Sequence, residues 1–177
     1  MTRVLILGAG GMLGHKLCQQ FRDRFDTWAT VRSSPSNYSK FELLDEARLM
    51  GGVDAANLDS VMRAVATVQP DVVINCVGII KQLAAAKDPI ASLTINSLFP
   101  HRLALLCRSA GIRMMHISTD CVFSGRKGMY SEDDPSDAED LYGRSKFLGE
   151  VSAEGSLTLR TSIIGRELET ISGLVEW

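Results

Sequence analysis

Aromatic residues, prolines and net charge are all scarce in this sequence. Of its 177 residues 6% are aromatic and five are proline, and the formal net charge is −2. A chain so close to neutral has no positive field that would attract nucleic acid or an anionic membrane, so we expect neither as a partner. The N-terminal apolar run Val4–Leu7 is too short for a signal peptide or a membrane span. We therefore expect a cytoplasmic protein.

Cysteine and histidine are scarce too, and neither falls into a metal-binding pattern. The three histidines lack the spacing of zinc ligands, and no C-x-x-C pair occurs among the four cysteines. We predict no metal site, and we expect the cysteines to be reduced thiols in a reducing compartment. These cysteines are Cys18, Cys76, Cys107 and Cys121.

What the sequence does contain is an alternation of short apolar runs with longer amphipathic stretches. Apolar residues make up 45% of the chain, and its length fits one domain with a single large core. The alternation is typical of a doubly wound α/β fold, a parallel sheet with helices on both faces. The predicted strands are Arg3–Leu7, Thr27–Val31, Leu49–Val53, Val72–Cys76, Arg113–Ile117 and Ser156–Arg160, and the predicted helices are Met12–Phe25, Leu58–Val68, Pro89–Ala110 and Glu139–Glu150.

Two features interrupt this regular pattern. Pro100 lies inside the third predicted helix and should kink or break it, because proline lacks an N–H and its ring clashes with the preceding turn. The polar stretch Ser124–Asp137, between the fifth strand and the fourth helix, indicates a surface loop that borders a site.

The first strand runs directly into a glycine-rich turn that opens a helix. Glycines at such a turn let backbone N–H groups approach a phosphate, and the helix N-terminus adds partial positive charge. The order of strand, glycines and helix therefore predicts a dinucleotide pyrophosphate site; the alternative is a turn that needs glycine for backbone geometry alone. The residues concerned are Gly8, Gly10, Gly11, Met12, Leu13 and Gly14, with the spacing Gly8-x-x-Gly11-x-x-Gly14.

The residues that follow the second strand predict which cofactor is bound. A site for NAD(H) carries an acid here for the ribose 2′-hydroxyl, whereas a cation accommodates the 2′-phosphate of NADP(H). This chain has Arg32 and Ser33 and no acid, which places a guanidinium beside a hydroxyl. The pattern favours NADP(H) over NAD(H); the alternative is an ordinary exposed loop arginine.

Tyr142 and Lys146 lie four residues apart on the fourth predicted helix and therefore share one face. An ammonium group near a phenol stabilises the phenolate and lowers the phenol pKa toward the range in which general acid–base catalysis works. Alone, the Y-x-x-x-K spacing is common on solvated helix faces. It indicates catalysis here because it follows a glycine-rich turn and a fifth strand that ends in Ser118 and Thr119.

Together these motifs resemble the extended short-chain dehydrogenase/reductases. The stretches Ser118–Phe123, Tyr130–Asp133, Tyr142–Lys146 and Leu159–Thr161 are similar to the dTDP-4-dehydrorhamnose reductase branch of that superfamily. The resemblance extends over essentially the whole chain. It implies a Rossmann-type domain that binds a nicotinamide dinucleotide, whose hydride the protein orients toward a substrate.

The resemblance also implies roles for individual residues. Thr119 would hydrogen-bond the substrate carbonyl oxygen, Tyr142 would donate a proton to it, and Lys146 would lower the tyrosine pKa and bind the nicotinamide ribose. Asn96 would hold a backbone carbonyl or a water, or else serve the helix kink near Pro100. Further cofactor contacts are implied at Asp54, Asn75, Cys76, Val77, Gly78, Tyr142, Lys146 and Thr161.

The segment after the fourth strand departs from the dehydrorhamnose reductases. Those enzymes carry an Ala-rich stretch with Thr, Val and Asp there, whereas this chain reads Asn75-Cys76-Val77-Gly78-Ile79-Ile80-Lys81-Gln82. The segment faces substrate in such folds, so the departure leaves the exact sugar open. We expect Lys81 and Asp120 near the substrate; the alternative for Lys81 is a solvated loop lysine.

Enzymes of this kind continue well beyond residue 177, past the closing stretch Gly173–Trp177. We therefore expect the range 1–177 to be the NADP(H)-binding domain of a longer enzyme whose C-terminal substrate region is missing. The leading hypothesis is an NADPH-dependent reductase of a 4-keto-deoxysugar nucleotide. A nucleotide-sugar epimerase or dehydratase, a non-catalytic NADP-binding regulatory subunit, and assembly into a homodimer all stay open.

Overall fold

A six-stranded parallel sheet forms the centre of the computed structural model, which describes residues 1–81 and 84–168. Its spatial order is β3-β2-β1-β4-β5-β6, and every neighbouring pair is parallel. This is the doubly wound Rossmann order, so the predicted fold class is confirmed. The strands are β1 (Arg3–Leu7), β2 (Asp26–Thr30), β3 (Leu49–Met50), β4 (Val72–Asn75), β5 (Arg113–Ile117) and β6 (Ser156–Leu159).

The four predicted helices are all present, although their ends differ from the prediction. Short 3-10 helices at Pro35–Phe41, Glu46–Arg48, Ala84–Lys87 and Asp120–Val122 add to them. The first helix ends at Phe21 and not at Phe25, and in the turn that follows the N–H groups of Arg24 and Phe25 both bond back to the Phe21 carbonyl. The helices are α1 (Met12–Phe21), α2 (Leu58–Val68), α3 (Pro89–Ser109) and α4 (Leu141–Leu148). Gln82 and the stretch Gly173–Trp177 lie outside the described residues.

The two faces of the sheet are covered by different elements. Alternating side chains of β1 point to opposite faces, as the period of a strand requires. Leu5 and Leu7 pack with α2 and α3. Val4 and Ile6 pack with Cys18 of α1 and with the segment between β2 and β3. Both faces of β1 are therefore buried, as expected for a central parallel strand.

Pro100 widens α3 without breaking it. A π-helical turn at Leu93–Leu98 precedes it, and α-helical geometry resumes at Phe99, with the proline near the start of the new turn where its missing N–H costs little. By length and composition α3 also qualifies as a membrane span, yet its side chains Phe99, Leu103 and Cys107 are buried in the core.

The topology brings the predicted site residues to one edge of the sheet. The chain crosses from one face to the other between β1 and β4, which are neighbours in the sheet. In open α/β sheets a crevice forms at this switch point, outside the carboxyl ends of the strands. The glycine turn follows β1, Asn75 ends β4 and Thr119 follows β5, so all three border the crevice.

Candidate active site

The glycine turn packs its helix directly against the end of β1. Gly8 has a φ of +87°, which favours glycine, and the N–H of Gly11 donates to its carbonyl oxygen at 3.1 Å. A Cβ on Gly14 would lie 2.1 Å from that same carbonyl oxygen. No larger residue fits at Gly14 without moving the backbone, so the close approach of α1 to the turn depends on it.

The N-terminus of α1 suits a phosphate ligand. Gly11 is the exposed N-cap residue, no side chain caps the helix, and its first turn contains no acid. Its first N–H groups are therefore left for an acceptor that a pyrophosphate would provide. Met12 lies 3.7 Å from where a Cβ on Gly165 would be, so the segment after β6 passes beside Met12; for Leu13 the cofactor contact stays a prediction.

Arg32 and Ser33 follow β2 and are exposed. Ser33 lies next to Tyr38, a residue of the following 3-10 helix. The Ser33 hydroxyl donates a hydrogen bond to the Tyr38 phenol oxygen at 3.3 Å, and that phenol stands over Gly10. No local sequence pattern points to Tyr38, because the contact joins a loop to a turn far from it in the chain.

Asp54 serves the start of α2. Its carboxylate accepts the N–H of Ala56 at 2.9 Å, and the hydroxyl of Ser60 donates to its carbonyl oxygen at 3.1 Å. The side chain is half-buried after β3. Its contact with a cofactor stays a prediction.

The wall after β4 consists mainly of backbone. The Asn75 side chain is fully buried, accepts the N–H of Val77 at 3.1 Å and lies 3.1 Å from His116 Nδ1, so it faces the protein interior. Burial raises the pKa of the Cys76 thiol to about 12, which keeps the thiol neutral. Cofactor contacts from Asn75 must therefore come from its main chain, while those of Cys76, Val77 and Gly78 stay predictions.

Asn96 holds the backbone of this wall in place. Its carbonyl oxygen accepts the N–H of Ile79 at 2.8 Å, and its amide nitrogen donates to the Ile79 carbonyl at 3.0 Å and to the Ser145 hydroxyl at 3.2 Å. The residue lies in the π-helical turn of α3 and is buried. In the structure Asn96 therefore holds a backbone segment, since its side chain bonds both the N–H and the carbonyl of Ile79. It joins α3, the β4 loop and α4.

Lys146 is buried between α4 and the ends of β4 and β5. Its Nζ donates to the Ile117 carbonyl at 2.7 Å, and a Cβ on Gly78 would lie 3.8 Å from it. Burial lowers the pKa of Lys146 to about 8, while the nearby Glu150 carboxylate opposes that shift. The ammonium is therefore held by a main-chain acceptor at the bottom of the crevice.

Thr119 and Tyr142 meet across the crevice, where burial dominates the pKa of the tyrosine; the predicted effect of Lys146 on that pKa stays a prediction. Burial raises the pKa of Tyr142, and a hydrogen bond with Thr119 only partly offsets that rise. Lys146 is turned to the Ile117 carbonyl, and it is not among the groups that lower the phenol pKa. The phenol therefore stays protonated at neutral pH.

A network that the sequence did not reveal holds the end of β5. The Glu150 carboxylate accepts from the Ser118 hydroxyl at 2.7 Å and pairs with the Arg160 guanidinium at 2.8 Å. Arg160 also stacks its guanidinium 5.1 Å from the Phe123 ring. These contacts fix the backbone on both sides of Thr119. Thr161, next to Arg160, bonds to the Ser162 carbonyl and is half-buried.

The two residues predicted near substrate are exposed at the mouth of the crevice. Lys81 forms a 2.5 Å ion pair with Asp140, the residue that precedes α4, and its charge acts on Tyr142. Asp120 bonds to the hydroxyls of Thr119 and Ser162. Neither carries a contact that identifies a ligand, so their substrate roles stay predictions.

Comparison with known proteins agrees with this geometry. The profile described as the RmlD substrate binding domain matches residues 1–167. The chain belongs to this family. The family assignment confirms the resemblance drawn from the glycine, tyrosine and lysine motifs.

Three relatives show the range of the similarity. The spore coat polysaccharide biosynthesis protein SpsK of Bacillus subtilis is 32% identical over 92% of this chain and 53% of its own length. The dTDP-4-dehydrorhamnose reductase of Mycolicibacterium smegmatis is 33% identical over 84% of this chain and 40% of its own length. The methionine adenosyltransferase 2 subunit beta of Danio rerio is 30% identical over 96% and 50%. The chain spans about half the length of the curated relatives it matches.

Solved structures agree with the fold. A hypothetical dTDP-4-dehydrorhamnose reductase from Sulfolobus tokodaii superposes with a TM-score of 0.79 at 29% identity, over 93% of this chain and 57% of that one. The dTDP-4-dehydrorhamnose reductase of Bacillus anthracis, solved in complex with NADP, gives 0.71 at 26% identity, over 90% and 53%. The chain is therefore related to sugar-nucleotide reductases, one of which binds NADP.

Proposed function

We propose that this chain is the cofactor-binding domain of an NADPH-dependent reductase of 4-keto-deoxysugar nucleotides. The observations that support it most are the contact of Thr119 with Tyr142 and the anchoring of Lys146 on the Ile117 carbonyl, both at the carboxyl end of β5. The relatives named as dTDP-4-dehydrorhamnose reductases support the substrate class, and the NADP complex of one of them supports the cofactor.

The residues of the site fit a proton transfer to a ketone. NADPH, when bound, would supply a hydride for the carbonyl carbon, and the Tyr142 phenol would donate its proton to the carbonyl oxygen, so that the ketone would become an alcohol. The Thr119 hydroxyl bonds the same oxygen and orients it. A reduction needs a phenol that is protonated beforehand, and the burial that raises the pKa of Tyr142 keeps it in that state.

Lys146 has a different task in this proposal. Its ammonium is anchored on the Ile117 carbonyl, which leaves donor capacity for the hydroxyls of the nicotinamide ribose. A pKa of about 8 means that the group is mostly charged at neutral pH. It therefore binds and orients the cofactor and supplies positive charge when the phenolate forms after proton transfer.

Two substitutions test this division of roles. In a polypeptide that also carries the remaining half of the relatives' length, Tyr142→Phe should leave NADPH affinity nearly intact while turnover of dTDP-4-dehydrorhamnose falls by at least about a hundredfold, the range of a lost general acid. Lys146→Ala should weaken both. Titration calorimetry measures the affinity for NADPH, and the loss of NADPH absorbance measures turnover.

Tyr130→Phe is the matched control, because it removes a phenol hydroxyl from the loop that bonds to Ser124 and Asp137. If the Tyr142→Phe variant keeps most of its turnover, Tyr142 is not the proton donor. Net release of NADP⁺ identifies a reductase, whereas an epimerase regenerates its cofactor in each cycle.

A non-catalytic subunit is a second candidate. It is favoured by one observation, the 30% identity over 96% of this chain to the Danio rerio methionine adenosyltransferase 2 subunit beta. NADPH binding without turnover of any sugar nucleotide, together with a stable complex with another protein, would support this candidate over the reductase.

A further inference from the structure

Tyr38 stands over the glycine turn although it lies on a separate loop. A Cβ on Gly10 would come within 2.9 Å of the Tyr38 hydroxyl and 3.1 Å of its ring. The ring is half-buried and packs against the same core cluster as α1. The phenol therefore occupies a fixed position next to the predicted phosphate-binding turn.

The phenol also contacts Ser33, one of the two residues predicted to select NADP(H). The Ser33 hydroxyl donates to the Tyr38 oxygen at 3.3 Å, so the proton of the phenol remains for another acceptor. Within residues 1–81 and 84–168 no hydrogen bond takes up that proton. Arg32 is exposed next to Ser33. The chain after β2 thus carries three donors, a guanidinium, a hydroxyl and a phenol, of which the hydroxyl and the phenol are in contact.

The loop that carries these donors is held by β3. A Cβ on Gly51 would lie 2.6 Å from a ring carbon of Pro35 and 2.8 Å from the Ser33 carbonyl oxygen, so the loop rests directly on the backbone after β3. The N–H groups of Val31 and Val53 add bonds between the two strand ends. Such fixed donors bind an anion with less loss of conformational freedom than a mobile loop would.

We propose that Tyr38 is a specificity-determining residue for the cofactor. Its phenol donates to the 2′-phosphate of NADP(H) beside Arg32 and Ser33, and its ring forms the wall between the glycine turn and the adenosine ribose. The inference rests on the proposed function, since it requires the dinucleotide to lie on the glycine turn. NADH lacks the phosphate, so the phenol proton contributes much less to its binding.

Titration calorimetry on the 177-residue protein tests this role with NADPH and NADH as probes. Tyr38→Phe keeps the ring and removes only the hydroxyl. It should weaken NADPH binding about tenfold and change NADH binding less than about twofold, as expected for one charge-assisted hydrogen bond. Arg32→Ala is the positive control and should erase most of the preference for NADPH. Tyr130→Phe, in the loop between β5 and α4, should change neither affinity.

Other outcomes overturn the inference. An equal loss for both cofactors would mean that Tyr38 only supports the loop, and an unchanged NADPH affinity would remove it from the site. The midpoint of thermal unfolding of the Tyr38→Phe variant shows whether that variant is still folded. A wild-type protein that binds neither dinucleotide would refute the proposed function itself, whereas a preference for NADPH that Tyr38→Phe leaves undiminished would refute only the role of Tyr38.

Discussion

Single buried residues around the crevice have protonation states that differ from those of the same groups in water. Burial raises the pKa of Tyr142, lowers that of Lys146 to about 8 and lowers that of His116 to about 3. In each case burial disfavours the charged form of the group. The site therefore combines a protonated phenol with a main-chain-anchored ammonium, which suits proton donation to a carbonyl oxygen.

His116 should make the protein less stable in mild acid. The Val77 N–H donates to the side-chain oxygen of Asn75, so the side-chain nitrogen of Asn75 faces His116 Nδ1. Because that nitrogen is a donor, His116 Nδ1 must stay unprotonated to accept the hydrogen bond. The native imidazole therefore stays neutral down to about pH 3, whereas the unfolded one, with a pKa of 6.5, binds a proton below that value. The free energy of unfolding that this group contributes is complete above pH 6.5 and declines from there toward pH 3.

Urea unfolding of the wild type and of His116→Gln at pH 7 and pH 5 measures this effect. The wild type should lose about 2 kcal/mol more than the variant between the two pH values, because one extra proton binds to the unfolded state. Glutamine keeps an acceptor for Asn75 and cannot titrate. Parallel losses in the two proteins would assign the acid sensitivity to other groups.

At the scale of elements, Asp140 connects the β4 loop to the helix that carries Tyr142 and Lys146. One carboxylate oxygen accepts the N–H of Gly143 at 2.8 Å as an N-cap, and the other pairs with Lys81 at 2.5 Å. Both side chains of the pair are about half exposed, so solvent screens it. The cap should therefore stabilise α4 more than the ion pair does.

Three variants separate these contributions to the free energy of unfolding. Asp140→Ala should cost about 1 kcal/mol, the usual effect of a lost N-cap, whereas Asp140→Asn should cost far less because asparagine caps equally well. Lys81→Ala should stay within about 0.5 kcal/mol of the wild type. Guanidinium unfolding checks the order. A loss in Lys81→Ala as large as in Asp140→Ala would show that the ion pair dominates.

At the scale of the whole molecule, the predicted cofactor residues lie between Gly8 and Thr161, inside a chain that spans about half the length of its relatives. We expect the 177-residue polypeptide to fold and to bind NADPH. Its turnover of dTDP-4-dehydrorhamnose should be at least about a hundredfold below that of the complete Mycolicibacterium smegmatis enzyme, because a poorly oriented substrate loses the advantage of proximity.

Calorimetry for NADPH and absorbance for its oxidation measure the two properties on the same preparation. Turnover close to that of the complete enzyme would show that the substrate site needs nothing beyond residue 177.

The cytoplasmic location, the lack of nucleic-acid and membrane partners, the extent of the domain and the homodimer stay predictions.

Patterns in the amino-acid order were enough to predict the fold class, the glycine turn and the family. Each of these depends on local patterns: apolar runs of strand length, glycines at fixed spacing between strand and helix, and two residues four apart on a helix. Such patterns act over a few residues, so they can be recognised without knowing the partners of each side chain. Asn96 and Pro100 were also singled out from the sequence. The sequence did not show which of two roles Asn96 has, or whether Pro100 kinks or breaks its helix.

Which side chains face the crevice, and whether they are protonated, depends on the packing of segments that are far apart in the chain. Asn75 occupies a predicted wall position, yet its side chain is turned to His116, a contact between two strands. The pKa of Tyr142 is raised because burial outweighs the neighbouring groups, and Lys146 bonds to a carbonyl on another strand. Tyr38 reaches the glycine turn from a loop. Burial and contacts between distant segments depend on the packing of the whole domain, which no short pattern encodes.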